Sequence, residues 1–473
     1  MHSDVHPRWV ALLQWLSGHG MDVSPEKLKV IARFAPDKTD AGFGLFSLRA
    51  VEPSAPLFAI PATALLNHLT LASHYPPTKP RLSCMQFVSL HLLLHRPKED
   101  HLDSSDPLFG PYISVLPRNF DSHPLTWLWK ERLDSSRSTC ESQLLRKLPP
   151  SALNKVETVL RLFDRDWKRI RQYLEVNPSL LEKQWSTVDI SERETDYLWA
   201  WLNVNTRCIY HRLEKVQSDE NNMTLCPILD FANHTTTPPF MMPQATRAEI
   251  WDTGPSKKRK YGEDFVLLSP STTSTPANEE MLLRYGAHSN ATLFAEYGFV
   301  NHLDGEQKDG LELEVDKEVE VLFSSRGAVG SWMREVLIDE GYWGDWTLHS
   351  SPTPAHPSFR LITALRLLHL FPESSKQLPS NPYDSLHLWR DTLLGKRERI
   401  SQENEILWRA SLLKICEDLV ERGTQGLAAT TEMQDRGEPT WVPAAKSSVA
   451  TLWQEEIYVA TNVIKSIREN EEF

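Results

Sequence analysis

No run of roughly 18 apolar residues, the length a membrane-spanning helix needs, occurs anywhere in this 473-residue chain. The first residues, Met1 to Val10, carry His, Asp, Pro and Arg where a secretory signal carries an apolar core. The expectation is a soluble intracellular protein that makes no membrane contact, with nucleus and cytoplasm both open. Cysteine is sparse and unclustered. Cys84, Cys140, Cys208, Cys226 and Cys416 form no C-x-x-C pair and are odd in number, which argues against a disulfide framework and a zinc cluster; no metal is expected. No repeat with a period of roughly 20 to 50 residues is visible, which argues against a solenoid. Clustered positive charge is scarce as well. A formal net charge of −12 disfavours direct nucleic-acid binding, because counterion release needs grouped Lys and Arg, and it suits a basic protein substrate, whose encounter it would speed.

What is present is globular. A hydrophobic share of 40% and a charged share of 24% leave enough apolar surface to offset chain entropy, and the length favours more than one lobe. Trp9, Leu12, Leu13 and Leu16 recur at i, i+3, i+4 and i+7 ahead of Gly18 and Gly20, predicting a short amphipathic helix. From Lys27 to Ile60 short apolar runs alternate with Gly42, Gly44, Pro53, Pro56 and Pro61, the texture of strands and tight turns. A helical insert follows, about 85–207. Strand texture returns at Leu225–Phe231, Phe265–Leu268 and Met281–Tyr285, separated by polar loops. Beyond Leu311 the pattern is helical, with an apolar stripe in Phe359–Leu370 and long periodic stretches near Glu403–Leu419 and Val449–Ile467. The predicted class is α+β: residues 1–310 as one unit and 311–473 as an all-α C-terminal lobe.

Three segments combine special backbone chemistry with polar or aromatic side chains. In Asp40-Ala41-Gly42-Phe43-Gly44 the glycines let backbone approach a ligand closely; an ordinary strand-turn would read the same way. Cys226-Pro227-Ile228-Leu229-Asp230-Phe231-Ala232-Asn233-His234 presents a carboxylate, an amide and an imidazole at one edge of the core, or a plain Asn turn. Tyr285-Gly286 and Tyr297-Gly298 offer two phenols, each followed by a hinge, although buried tyrosines often only satisfy a carbonyl.

The joint order of the three resembles the SET domain, and more narrowly its Rubisco large-subunit methyltransferase-like branch. Further matches are Gly110-Pro111-Tyr112-Ile113-Ser114-Val115-Leu116-Pro117 followed by Trp127, Asn205-Thr206-Arg207, and Ile400-Ser401-Gln402-Glu403-Asn404-Glu405. The resemblance spans most of the chain. It implies small β-sheets with a C-terminal pseudoknot, interrupted by the helical insert, and a substrate-docking lobe after them. It also implies an S-adenosylmethionine-dependent protein-lysine methyltransferase for a non-histone protein, such as a ribosomal protein or translation factor. Histidine methylation and a binding module without turnover remain the alternatives.

Under that resemblance Tyr285 is the catalytic residue. Ala41, Gly42, Phe43, Asn233 and His234 contact the cofactor, Arg207, Asp230 and Tyr297 contact the substrate, and Phe299 packs near the adenine or simply fills the core. Ala41 stands where an acidic residue can precede the glycine, and a further channel tyrosine has only Ala248 or Trp251 as nearest counterparts. Asn278 replaces a usual glycine at a turn, a position Asn tolerates. The basic run Lys257-Lys258-Arg259-Lys260 reads either as an import signal or as a solvated loop.

Overall fold

The computed structural model describes residues 6–34, 43–97, 103–133, 139–182, 193–250, 252, 254–255, 259–303, 310–372, 374–375, 377–433 and 439–473. Near the N-terminus the helix Pro7–Gly18 buries Trp9, Leu12 and Leu16, because steps of three and four residues return to one face of a 3.6-residue turn. Strands Val30–Phe34 and Phe43–Ser47 pair antiparallel, with Val30 opposite Ser47 and Phe34 opposite Phe43. A second sheet places Phe265–Leu268 between Pro56–Ile60 and Met242–Pro243. No described helix is long and apolar enough to cross a membrane.

The insert is helical as expected. Its main members are Cys84–Leu94, Pro124–Leu133, Pro150–Val176 and Glu194–Arg207. Ser83 and Gln86 close a reciprocal capping box at the start of the first of these, satisfying amides that would otherwise lack partners. The longest buries Val156, Val159, Phe163, Trp167, Ile170 and Leu174 along one stripe.

Residues 225–231 are not the strand that their apolar texture suggested. Ile228 takes φ 70° and ψ −48°, and Leu229–Phe231 forms a 3-10 turn. Pro227 has no N–H for a ladder, and an unbroken apolar run carries no alternation to mark its backbone state. A β-branched residue at positive φ is strained by roughly 1–3 kcal/mol. Complete burial of Ile228 and near-complete burial of its neighbours Cys226 and Leu229 hold it there.

The C-terminal lobe is helical but not wholly so. It carries a small sheet in which Thr347–His349 lies between Glu312–Glu314 and His356–Pro357, strands too short to display a period. The Ile400–Glu405 motif closes a helix end here. Ser401 caps the helix Gln402–Thr431, and the Asn404 amide donates to the carbonyls of Arg366 and His369 at 3.0 and 2.9 Å, satisfying the end of Phe359–Leu368.

Two hydrophobic cores result, and they meet along one helix. The first runs from Trp9 to Ala295 and also takes in Val442, Ala445, Val449, Leu452 and Trp453. The second begins at Leu313 and includes Val459, Ala460, Val463 and Ile464. Helix Val442–Arg468 therefore completes both. Trp441, just before it, stacks on Trp127 with centroids 5.8 Å apart, and the Trp453 indole donates to the Lys147 carbonyl at 2.7 Å.

Candidate active site

The site forms where three chain segments run side by side. Met281 N–H donates to the Leu45 carbonyl at 2.7 Å and Ser47 N–H to the Glu279 carbonyl at 3.0 Å, joining residues 279–281 to strand Phe43–Ser47. On its other side the same segment pairs parallel with Asn233-His234: Leu283 N–H donates to the Asn233 carbonyl at 2.9 Å and Thr235 N–H to the Leu283 carbonyl at 3.1 Å. Motifs far apart in sequence thus share one patch. Asn278 enters the segment at φ 64°, the left-handed turn expected there.

Tyr285 sits at the end of this pairing. Its N–H donates to His234 Nδ1 at 3.1 Å, which puts the proton of a neutral ring on Nε2. The phenol donates to the Ala232 carbonyl at 2.8 Å, and burial pushes its pKa up to about 12. Aromatic rings surround it: His234 at 5.0 Å, Tyr297 at 5.3 Å and Phe299 at 6.2 Å between centroids. His288 lies 6.0 Å from Tyr297.

Tyr297 is the last residue of helix Asn290–Tyr297, which stops at Gly298 in the left-handed conformation, φ 81°. A Cβ on Gly298 would come within 2.9 Å of the His123 ring, so glycine is required twice over. At the other end, Asn290 clamps Asn301: its Oδ1 accepts from Asn301 N–H at 2.8 Å and its amide donates to the Asn301 carbonyl at 3.3 Å. The same amide reaches Glu455 Oε2 at 2.8 Å. Helix Val442–Arg468 thus touches the base of the element that aims Tyr297.

Asp230 and Arg207 meet beneath the aromatic cluster. Arg207, the final residue of Glu194–Arg207, donates to the Asp230 carbonyl at 2.6 Å and lies 3.6 Å from its Oδ2, a favourable end of a helix for a cation. Tyr112 donates to the same Oδ2 at 3.3 Å. Burial lifts Asp230 to about 6 against the pull of Arg207. Its other oxygen, Oδ1, is buried without a hydrogen-bond partner, an acceptor left to be completed.

The Asn233 amide donates to Glu280 Oε1 at 2.6 Å. A Cβ at Gly44 would stand 2.8 Å from that carboxylate and 3.3 Å from the amide, so the strand backbone passes bare beside both. Phe43 packs edge-on against Phe231, centroids 5.5 Å apart. The structure brings Phe43, Arg207, Asp230, Asn233, His234, Tyr285 and Tyr297 into this region. Ala41, Gly42, Trp251, Lys257 and Lys258 lie outside the described residues. Sequence reasoning missed Glu280, Tyr112 and His123, whose Nε2 lies 3.2 Å from the Glu296 carbonyl. Only Tyr112 carried a signal, its place in the Gly110–Pro117 motif.

This architecture is the SET-domain fold. The SET domain of LSMT bound to lysine and AdoHcy superimposes with a TM-score of 0.61 at 18% identity, covering 99% of this chain and 92% of that one; Rubisco LSMT bound to AdoMet gives 0.57 at 17% identity over 98% and 94%. In sequence the chain is 24% identical over 375 residues to ribosomal lysine N-methyltransferase set11 of Schizosaccharomyces pombe, spanning 79% of this chain and 77% of that protein. It is 26% identical over 437 residues to human SET domain-containing protein 4, spanning 88% and 83%. No family model matches.

Proposed function

We infer that the chain is an S-adenosylmethionine-dependent protein-lysine N-methyltransferase of the Rubisco large-subunit methyltransferase-like branch, acting on a non-histone protein. The observation that carries this reading is the parallel pairing of Asn233-His234 with Leu283, which sets the Tyr285 phenol inside a ring of His234, Tyr297 and Phe299. The fission-yeast relative is a ribosomal lysine methyltransferase by name, and the structural neighbours hold AdoMet, or AdoHcy with lysine.

The residues fit such a cofactor. Gly44, lacking a Cβ, lets the Glu280 carboxylate and the Asn233 amide lie against strand Phe43–Ser47, and an amino-acid-bearing ligand would meet the half-buried polar side chains of Asn233 and His234 next to it. Bound there, S-adenosylmethionine supplies a methyl group on a positive sulfonium. Phe43, Asn233 and His234, with Ala41 and Gly42, would hold it.

The remaining work falls to the chain itself. A lysine side chain has a pKa near ~10.4, so well under ~1% is neutral at pH 7, and an aromatic channel favours the neutral amine by desolvating the ammonium. Tyr297 would form one wall of that channel. Tyr285 stays protonated at neutral pH and spends its hydrogen on Ala232, which leaves phenol lone pairs to orient the methyl and the amine. Asp230 Oδ1 would accept an N–H from the substrate, with Arg207 fixing the turn that presents it. Alignment of this kind supplies much of the rate enhancement.

Residues 1–310 would form the catalytic unit and 311–473 the lobe that docks the substrate protein. The net charge of −12 suits a basic target such as a ribosomal protein. Residence in the nucleus or cytoplasm goes with it, and the exposed Arg259 and Lys260 would serve an import signal. Incubation of the purified chain with methyl-labelled cofactor and cell extract, followed by peptide mass mapping, tests the reading. Label on lysine of a discrete protein is expected; label on histidine, or none from a chain that binds the cofactor, overturns it.

A further inference from the structure

Away from Tyr285, three metal-ligating side chains converge in the helical insert. His91 lies in helix Cys84–Leu94 and His95 caps its end, one turn apart, so both rings leave the same face. Asp106 comes from the turn before Gly110. His91 Nε2 is 2.9 Å from Asp106 Oδ2 and His95 Nδ1 is 3.7 Å from Oδ1, and all three ligand atoms lie within 4.8 Å of one another. The His91 and Asp106 side chains are 1% and 0% exposed, whereas His95 keeps 15%.

Hydrogen bonding accounts for His91 and Asp106 but not for His95. The 3.7 Å separation is too long for an N–H···O bond, and His95 Nδ1 is buried with no hydrogen-bond partner. The surroundings are nevertheless built to hold each group. Phe109 N–H donates to Asp106 Oδ2 at 2.7 Å and Leu108 N–H to Oδ1 at 3.3 Å. The Tyr75 oxygen is 2.7 Å from His91 Nδ1, and the Ser104 hydroxyl donates to the His95 carbonyl at 2.8 Å.

We propose that His91, His95 and Asp106 bind one divalent transition-metal ion of the zinc class, with His95 the ligand nearest the solvent. Two imidazole nitrogens and one carboxylate oxygen suit borderline ions, whereas calcium and magnesium prefer all-oxygen sets. Ligands ~2.0–2.1 Å from a tetrahedral ion stand about 3.3 Å apart. The 2.9 and 3.7 Å separations bracket that edge. The ion would take the neutral His91 ring at Nε2, the single ring proton then sitting on Nδ1 and donated to the Tyr75 oxygen, with no net change in the ring's proton count. Such an outer hydrogen bond orients metal-bound imidazoles. No cysteine takes part, so the cysteine pattern that argued against zinc does not bear on this site. The ion would clamp the end of Cys84–Leu94 to the turn that leads into Gly110–Ile113, the short helix carrying Tyr112 to Asp230.

The test uses the full chain, stripped with a chelator and dialysed against Zn²⁺ in the presence of a weaker competing chelator. Elemental analysis should find one equivalent in the wild type and at most about a fifth of that in His95→Gln, with zinc raising Tm only in the wild type. A wild type that retains no zinc, or a His95→Gln chain that retains as much, overturns the proposal. X-ray absorption of the zinc-loaded wild type gives a second reading that needs no variant. Two imidazoles with oxygen support the site; a sulfur shell or fewer than two imidazoles refutes it.

Discussion

Glu455→Gln should stabilise the protein at neutral and higher pH. Glu455 is 5% exposed, and its Oε2 accepts from Asn290 at 2.8 Å. Burial, reinforced by the charge of Glu456 and opposed by the Asn290 bond, lifts its carboxyl from 4.5 to about 7. A carboxyl raised in the folded state holds its proton more tightly there than in the unfolded chain. Its contribution to stability is therefore complete below 4.5 and is lost as pH rises through about 7. At ~1.36 kcal/mol per pH unit the interval is worth about 3 kcal/mol. Glutamine keeps the volume and an oxygen for Asn290 but has no charge to bury. Thermal melting of both chains between about pH 4.5 and 8.5 is the assay, and at ~2–4 °C per kcal/mol the effect amounts to several degrees. The wild type should lose Tm with rising pH more steeply than Glu455→Gln, and the variant should be the more stable above about pH 7. Parallel curves, or a variant less stable at about pH 8, would refute the reasoning.

Three further outcomes follow from the site and the shared helix. Tyr285→Phe should lower turnover by at least ~10²-fold with little change in cofactor affinity; near-normal turnover removes it from catalysis. Asn233→Ala strands Glu280 and should weaken cofactor binding by ~1–3 kcal/mol in calorimetric titration, while unchanged affinity makes the Asn233–Glu280 bond structural only. A chain ending at residue 309 loses Val442, Ala445, Val449, Leu452 and Trp453 from the first core. It should fail to melt cooperatively, since large buried side chains cost ~2–5 kcal/mol each when removed; a sharp transition close to the wild-type Tm would show that helix Val442–Arg468 is dispensable to that core.

The sequence by itself determined the elements whose signals are local. Spacing of Trp9, Leu12 and Leu16 is enough for the helix Pro7–Gly18, because side-chain period and helical turn are the same physics. The Asn233-His234 and Tyr285-Gly286 motifs likewise stand out in the sequence, and the fold sets them side by side. Only the tertiary structure decided what those residues touch. Ile228 turns because burial on every side outweighs its own backbone preference, and no local pattern records that pressure. Glu280 is fixed by Asn233, 47 residues away, Tyr112 by Asp230, 118 away, and Asn290 by Glu455, 165 away. Side-chain chemistry is written residue by residue, but the partner that gives a buried carboxylate, phenol or imidazole its function is chosen by packing.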